Sequence, residues 1–359
     1  MKKNIFDFKV FIDCGAPSLY NKLSRNDLSG GRGVMGTKMS ERKFDDYSYV
    51  DKPEYATYRE AYIEFMLKHK DEVDVYSNLD VINNPKLTYR NQKIIEEAGL
   101  HPIPVWHLGN DPKWLERYVK EYDYIAIGGL VPNPTSVLIP LLDALFKEHL
   151  LDSKGYPKVK LHGFACTSLP LMERFPWFSV DSATCRKLAN FGSIVLPDYG
   201  KQNPVSTFQV SSRTKRIPEE KVGMFNLEDA PASDWLTDMS SQVRKAFDLR
   251  LDKYGMTIQQ LGDSIIHRVV WNYLIFSEVI QKTVPAWPWS MQTRQCKYES
   301  AYCEEDLGYM TFYFAGILSK SEENTFWKGV SHPITERLKG SLRSFFYAQN
   351  AEYVLSLKK

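Results

Sequence analysis

Three aspartates, Asp13, Asp80 and Asp181, each close a short apolar run: Val10-Phe11-Ile12-Asp13, Val75-Tyr76-Ser77-Asn78-Leu79-Asp80 and Phe178-Ser179-Val180-Asp181. A fourth run, Tyr124-Ile125-Ala126-Ile127, closes on Gly128-Gly129. Carboxylates this far apart in sequence can share a reaction only where a fold gathers the ends of their runs. An aspartate at a strand end can attack a sugar carbon and hold it as a covalent glycosyl-enzyme, a role that suits Asp181. A second carboxyl, its proton affinity tuned by burial, can protonate a leaving base and deprotonate an incoming one, which suits Asp13. A third can accept two N–H donors along the edge of a guanine-like base, which suits Asp80. Gly128 and Gly129 would let a flat ligand approach backbone N–H groups closely. The same residues have ordinary structural uses: Asp181-Ser182-Ala183-Thr184 suits a helix N-cap, and Asp13 before Gly15, Asp80 before Asn83-Asn84-Pro85, and a Gly-Gly pair all suit turns.

The runs read as buried parallel strands because they are short, continuous and apolar. Strand-like segments recur at Lys9–Asp13, Val73–Tyr76, Ile103–His107, Tyr124–Gly128, Lys158–Gly163, Phe178–Asp181 and Ser193–Leu196. Helix-like segments lie between most of them. Tyr55–Lys70 places Tyr58, Ala61, Tyr62, Phe65 and Met66 at helical spacing, followed by Asn91–Ala98, Pro112–Tyr122 and Thr135–Leu150, the last started by Asn133-Pro134. Strand then helix, repeated, predicts βα units around a parallel sheet. A nucleotide-binding open sheet carries a Gly-rich turn after its first strand. Here Gly15 stands alone, and Gly30-Gly31-Arg32-Gly33 comes much later with no helix directly after it. The expected architecture is therefore α/β, a (β/α)8 TIM-like barrel over residues 1–285 with a modified, mainly helical C-terminal section over 286–359. Residues 19–52 are expected to form a long lid-like loop, with Arg32 and Lys38 near phosphate. Asp198–Lys215 suggests a hairpin, and Asp229–Leu251 and Thr257–Gln281 read as helices. Acids at the C-terminal ends of barrel strands sit where such folds build their active sites.

At 359 residues with 43% apolar and 25% charged residues, the chain has the composition of a globular protein. No run approaches the ~18–20 apolar residues of a membrane span, so no membrane partner is expected. The start, Met1-Lys2-Lys3-Asn4, leads into a strand-like run rather than a long apolar core, and no signal peptide is read there. Five scattered cysteines do not form a disulfide framework. The expected compartment is the reducing cytoplasm. A net charge of +2 leaves nucleic acid open as a partner, because phosphate contacts need only a local basic face.

His107 and His162 also end strand-like runs, and with Asp13 and Asp181 they invite a metal-dependent hydrolase reading. There is no His-x-His after the first run and no His-Glu-x-x-His. Cys296 and Cys303 are separated by six residues, too far for a tight zinc knuckle. Cys166 and Cys185 read as packing thiols.

These motifs, in this order, resemble the tRNA-guanine transglycosylase superfamily, and most of all its phage branch that inserts 7-deazaguanines into DNA, the deoxypurine-in-DNA protein A group. The family's Asp-Ser-Gly-Gly/Ala-Phe motif matches Asp13-Cys14-Gly15-Ala16-Pro17; its base-recognising Asp matches Asp80; its Gly-Gly-Leu matches Gly128-Gly129-Leu130. Its nucleophile block matches Lys160-Leu161-His162-Gly163-Phe164 followed by Ser179-Val180-Asp181-Ser182. The resemblance implies a guanine/7-deazaguanine pentosyltransferase with Asp181 as nucleophile and Asp13 as acid/base. It also implies that Asp80, His107, Gly128, Gly129, Leu130, His162 and Gly163 surround the base. DNA and a free 7-deazaguanine would be the partners, with tRNA as the alternative polynucleotide. A non-catalytic nucleic-acid-binding barrel subunit is a further alternative. The family's Phe is Pro17 here, so stacking on the base would fall to Tyr20 or Trp106. The Cys-x-Cys-x-x-Cys cluster of the tRNA enzymes is absent, so no zinc and no other cofactor is expected.

Overall fold

The structure is a computed structural model that describes residues 10–24, 47–131, 133–153, 155–166, 168–200, 204–210, 234–235, 239–284, 311–315 and 346–348. Its first part alternates strand and helix: β1 (Val10–Ile12), α1 (Ala16–Ser24), α2 (Pro53–His69), β2 (Val75–Tyr76), α3 (Pro85–Glu97), β3 (Val105–His107), α4 (Pro112–Glu121), β4 (Tyr124–Gly128), α5 (Thr135–Leu145), β5 (Lys160–Gly163), α6 (Leu169–Arg174), β6 (Ser179–Ser182) and α7 (Thr184–Asn190). Helix starts carry local signals. Proline occupies the first turn of α2, α3, α4 and α6, where its missing N–H costs nothing. Asn84 and Asp111 cap α3 and α4 by accepting from the Leu87 and Lys113 amides, each at 3.0 Å.

The main sheet has eight strands in the order β2-β1-β11-β10-β6-β5-β4-β3, where β10 (Thr311–Ala315) and β11 (Phe346–Ala348) come from the C-terminal part of the chain. All pairings are parallel except those of β11, which runs antiparallel to both β1 and β10. Just past β2, Ser77 bridges Ile103 in parallel; the Asn78 amide donates to Ile103 O and the Ile103 amide to Tyr76 O, each at 2.9 Å. The first and last strands of the order are thus also neighbours.

Side chains alternate across this sheet with period two. On one face Val10, Ile12, Trp106, Ile125, Ile127, Leu161 and Val180 pack into two cores shared with the helices. On the other, Phe11, Val75, Val105, Tyr124 and Ala126 form a separate apolar cluster. Asp13, His107, Gly128 and Asp181 follow this second face by parity: each lies two residues after Phe11, Val105, Ala126 or Ser179.

A second sheet joins β7 (Ser193–Pro197) antiparallel to β8 (Val205–Gln209), with β9 (Asp234–Trp235) parallel to β8. Of the hairpin expected over Asp198–Lys215 the described residues hold one strand, β8, and it pairs with β7 upstream of that range; residues 211–215 lie outside the described residues. Three helices follow: α8 (Ser241–Tyr254), α9 (Ile258–Asp263) and α10 (Ile265–Thr283). Gly255 ends α8 in the left-handed region, and a Thr257–Gln260 capping box starts α9. The sequence expectation of one helix from Asp229 is corrected by β9, and the break at Ser264 divides the expected Thr257–Gln281 helix.

Two further findings concern the ends of the expected domain, of whose C-terminal section only residues 311–315 and 346–348 are described. Within 286–359 the described residues are strands, not helices: Thr-Phe-Tyr-Phe-Ala and Phe-Tyr-Ala are aromatic-rich and suit a pleated, half-buried surface. Residues Leu19–Ser24 of the expected lid belong to α1, and Tyr49, in a 3-10 turn over Ser48–Asp51, is buried against α2. Arg32, Lys38, Cys296 and Cys303 lie outside the described residues. Among the described residues no helix is long and apolar enough to cross a membrane.

Candidate active site

Because β1 to β6 are mutually parallel, their C-terminal ends lie along one edge, and Asp13, Asp80, His107, Gly128, His162 and Asp181 all occur at or just past those ends. Asp80 is buried and both its oxygens are engaged. The Cys14 thiol donates to Oδ1 at 3.1 Å, and His107 Nε2 lies 2.7 Å from Oδ2. Burial, then the charges of Asp80 and Asp13, pushes the Cys14 thiol well above its usual range. Cys14 is therefore a fixed donor rather than a nucleophile. His107 Nδ1 is buried with no partner among the described residues. Gly128 makes room for this pair: a Cβ there would meet His107 Nε2 at 3.1 Å and Cδ2 at 3.2 Å.

Asp181 is held from the other side. Its Oδ1 accepts the Ala165 amide at 2.8 Å and lies 3.3 Å from His162 Nε2. Its Oδ2 has no partner among the described residues. Ala165 has φ 54°, a left-handed conformation costing a side-chain-bearing residue on the order of 1–2 kcal/mol, and it is this turn that presents the amide. His162 is itself fixed: Nδ1 lies 2.7 Å from Ser179 Oγ, Ser179 Oγ hydrogen-bonds Tyr124 Oη, and the ring stacks on Phe11 at 4.5 Å.

Asp13 links the two halves. Its carboxyl is pushed from 3.8 up to about 7, first by burial and then by the negative charges of Asp80 and Asp181. Contacts from Cys14 and the Gly15 backbone offset this only in part. Ser77 Oγ points at Asp13 Oδ1 at 3.4 Å and accepts the Cys14 amide at 3.0 Å. Tyr58 and Tyr62 donate to the carbonyls of Cys14 and Ser77 at 2.7 and 2.6 Å, fixing the backbone that carries this arrangement. Three carboxyls from three strand ends thus share one electrostatic environment, and the middle one is poised to carry or release a proton near neutral pH.

The remaining expected residues divide between site and scaffold. Gly129 takes φ 75°, and a Cβ would sit 3.1 Å from the Leu108 amide nitrogen, so the position requires glycine on backbone grounds. Leu130 is buried in the core with Leu138 and Leu142 of α5. Gly163 admits Cys166 and Trp177, each 3.2 Å from where its Cβ would be. Trp106 packs in the helix-side core, on the opposite face from its neighbour His107, which removes it as a stacking partner for the base. Tyr20 is half-buried and makes an edge contact with Tyr49. Cys166 and Cys185 are buried, free thiols. Among the described residues no three His, Cys, Asp or Glu side chains are grouped to hold a metal ion.

Sequence reasoning missed Ser77, Tyr124, Ser179 and the Ala165 amide as supports. Ser179 carried a usable signal, since it lies two residues before Asp181 on the same strand face. Ala165 carried none, because a backbone amide has no residue signature. Comparison with known proteins found no matching family model, no matching curated protein and no matching solved structure.

Proposed function

We propose that this chain is a pentosyltransferase that exchanges guanine for a 7-deazaguanine in DNA through a covalent aspartyl-sugar intermediate. The observation that carries the reading is Asp13, raised to about 7 by burial and by two further carboxylates, Asp80 and Asp181, reaching it from other strand ends. The motif order that resembles the tRNA-guanine transglycosylase superfamily supports the same assignment. The reading includes a closed (β/α)8-type barrel whose eighth strand is antiparallel; the Ser77–Ile103 bridge between the outermost strands supports closure.

The target nucleotide is flipped out, because C1′ is out of reach while its base is stacked. Its guanine edge meets Asp80, whose oxygens each have capacity for another donor, and the open Nδ1 of His107. Asp181 Oδ2 attacks C1′; the C1′–N9 bond breaks, its electron pair goes to guanine, and the Asp13 proton neutralises the departing base. A 7-deazaguanine then enters the vacated pocket. Asp13 takes its N9 proton, N9 attacks C1′, and the ester bond to Asp181 breaks. Two inversions give net retention, and no external energy source is consumed. The Ala165 N–H, with His162 packed alongside, keeps Oδ1 of Asp181 in place throughout, so that Oδ2 faces the sugar.

Incubation with guanine-containing duplex DNA should give a denaturation-resistant protein–DNA adduct that Asp181→Ala lacks, with exchange of labelled guanine lowered by roughly 10⁴-fold or more. Exchange at the unmodified rate in that variant would remove Asp181 from the role. The same label offered with tRNA separates the two polynucleotides.

A further inference from the structure

Between the first turns of α2 and α3 lies a cavity of about 250 Å³ lined by Lys52, Arg59, Arg90, Asn91, Tyr55 and the single acid Asp51 among others. Both helices begin at the strand edge that carries the acids. The cavity is tied to that edge directly: Asn91 Nδ2 donates to Tyr55 Oη at 2.6 Å and to the carbonyl of Leu79, next to Asp80, at 2.8 Å. We propose that this cavity is a phosphate subsite, taking a backbone phosphodiester of the polynucleotide whose base lies against Asp80. The proposal rests on the exchange reading above.

Three observations carry it. First, the two arginines, Arg59 and Arg90, have little to balance them among the described residues. Arg59 donates to Asn91 Oδ1 at a long 3.5 Å, its Nε is buried with no partner among the described residues, and Arg90 has no partner among them. A guanidinium with an unused buried N–H is costly until an anion accepts from it. Second, Lys52 is the N-cap of α2, and its side chain does not cap that helix; its Nζ instead donates to the Leu23 carbonyl at 2.9 Å. A cation at a helix start opposes the macrodipole, and an anion lodged there would reverse the sign of that interaction. Third, guanidinium planes and a helix start match the tetrahedral oxygens of a phosphate better than a planar base.

Fluorescence anisotropy with a labelled, guanine-containing duplex oligonucleotide and the full chain tests the proposal. Arg90→Gln, at an exposed helix position, should weaken binding about 3- to 10-fold and make the plot of log K against log salt shallower by about 0.9. Asp51→Asn should tighten binding about twofold, a direction that misfolding cannot produce. Unchanged affinity and slope in Arg90→Gln, while the parent chain binds, overturns the subsite. Should the parent chain bind no oligonucleotide, the exchange reading fails separately, and the cavity is judged on inorganic phosphate alone by phosphorus NMR. Line broadening that Arg90→Gln abolishes then sustains an anion site, and no broadening in the parent chain removes it.

Discussion

In the proposed exchange, Asp13 is the residue on which the chemistry would turn, because its proton would have to be present in one half-reaction and absent in the other. A carboxyl lifted to about 7 by burial and by Asp80 and Asp181 is half-protonated near neutral pH. Its folded value lies above its unfolded one, so the folded state holds the extra proton between about pH 4 and 7. Stability therefore falls as pH rises through that window and levels off above it. The penalty at high pH is at most about 4 kcal/mol, and less because part of the carboxyl is open to water. Asp13→Asn should flatten the decline, so its urea midpoint should exceed the parent's at pH 8 and match it near pH 4. In single turnover with guanine-containing DNA, adduct formation should slow above about pH 7 in the parent and be slow at every pH in Asp13→Asn. A parent stability profile flat from pH 4 to 8 would contradict the raised proton affinity. The position of Asp13 was legible in the sequence, as were those of Asp80, His107 and Asp181, because each ends a run whose apolar residues fix the strand. Their partners were less so: nothing in Cys14 announces a thiol donated to Asp80, and the unused Oδ2 of Asp181 follows from where the Ala165 amide points.

At the scale of elements, α10 shows how the chain fastens parts that are remote in sequence. Arg268 is buried and donates to the carbonyl of Ala189 at 2.8 Å and to those of Leu261 and Gly262 at 2.7 and 3.0 Å. These belong to the last turns of α7 and α9, where carbonyls have no intrahelical partner. One turn on, Asn272 accepts the Val195 amide and donates to Cys185 O, and Trp271 Nε1 donates to Val195 O, so α10 also grips β7. Arg268→Met should cost about 2–4 kcal/mol in urea unfolding, since it takes a charge-assisted donor from the Leu261 and Gly262 carbonyls and leaves the Ala189 carbonyl with the Gly192 amide alone. Arg174 is the control. Its bidentate pair with Asp143 is exposed on both sides, and Arg174→Ala should cost no more than about 1 kcal/mol. Equal costs would mean that Arg268 is solvated or replaceable. Among elements, the seven strand-like runs up to Leu196 were all legible, because continuous apolar runs bounded by Pro, Gly or Asn leave few alternatives. The two strands near the C-terminus were not. Their residues sit in an aromatic-rich stretch whose spacing fits a helix as well as a strand, and their place is set by pairing with β1 and β6, far away in sequence.

At the scale of the whole molecule, those two late strands decide how the acids face each other. On one side of the sheet order, β1 with Asp13 and β6 with Asp181 are connected only through β11 and β10 among the described strands. Val10, Phe11 and Ile12 pair with Ala348, Tyr347 and Phe346, while Tyr313 pairs with Asp181 itself. With neighbouring strands about 4.8 Å apart, two intervening strands set the gap across which Asp13 and Asp181 would hold a nucleotide. Deleting residues 346–359 removes β11 and leaves β1 and β10 with unpaired edges, a state that exposes backbone donors and acceptors on both strands. The other route from β1 to β6, through β2, β3, β4 and β5, stays intact, so the helix-side cores on Val10 and Val180 should hold the fold together. The truncated chain should therefore keep its far-ultraviolet circular dichroism. Its β1 amides should lose hydrogen-exchange protection by about 100-fold or more, and it should form no DNA adduct because the two acids are no longer held at a fixed separation. Full protection of β1 together with an undiminished adduct in the truncated chain would show that β11 does not span the gap, and would take the closed barrel with it.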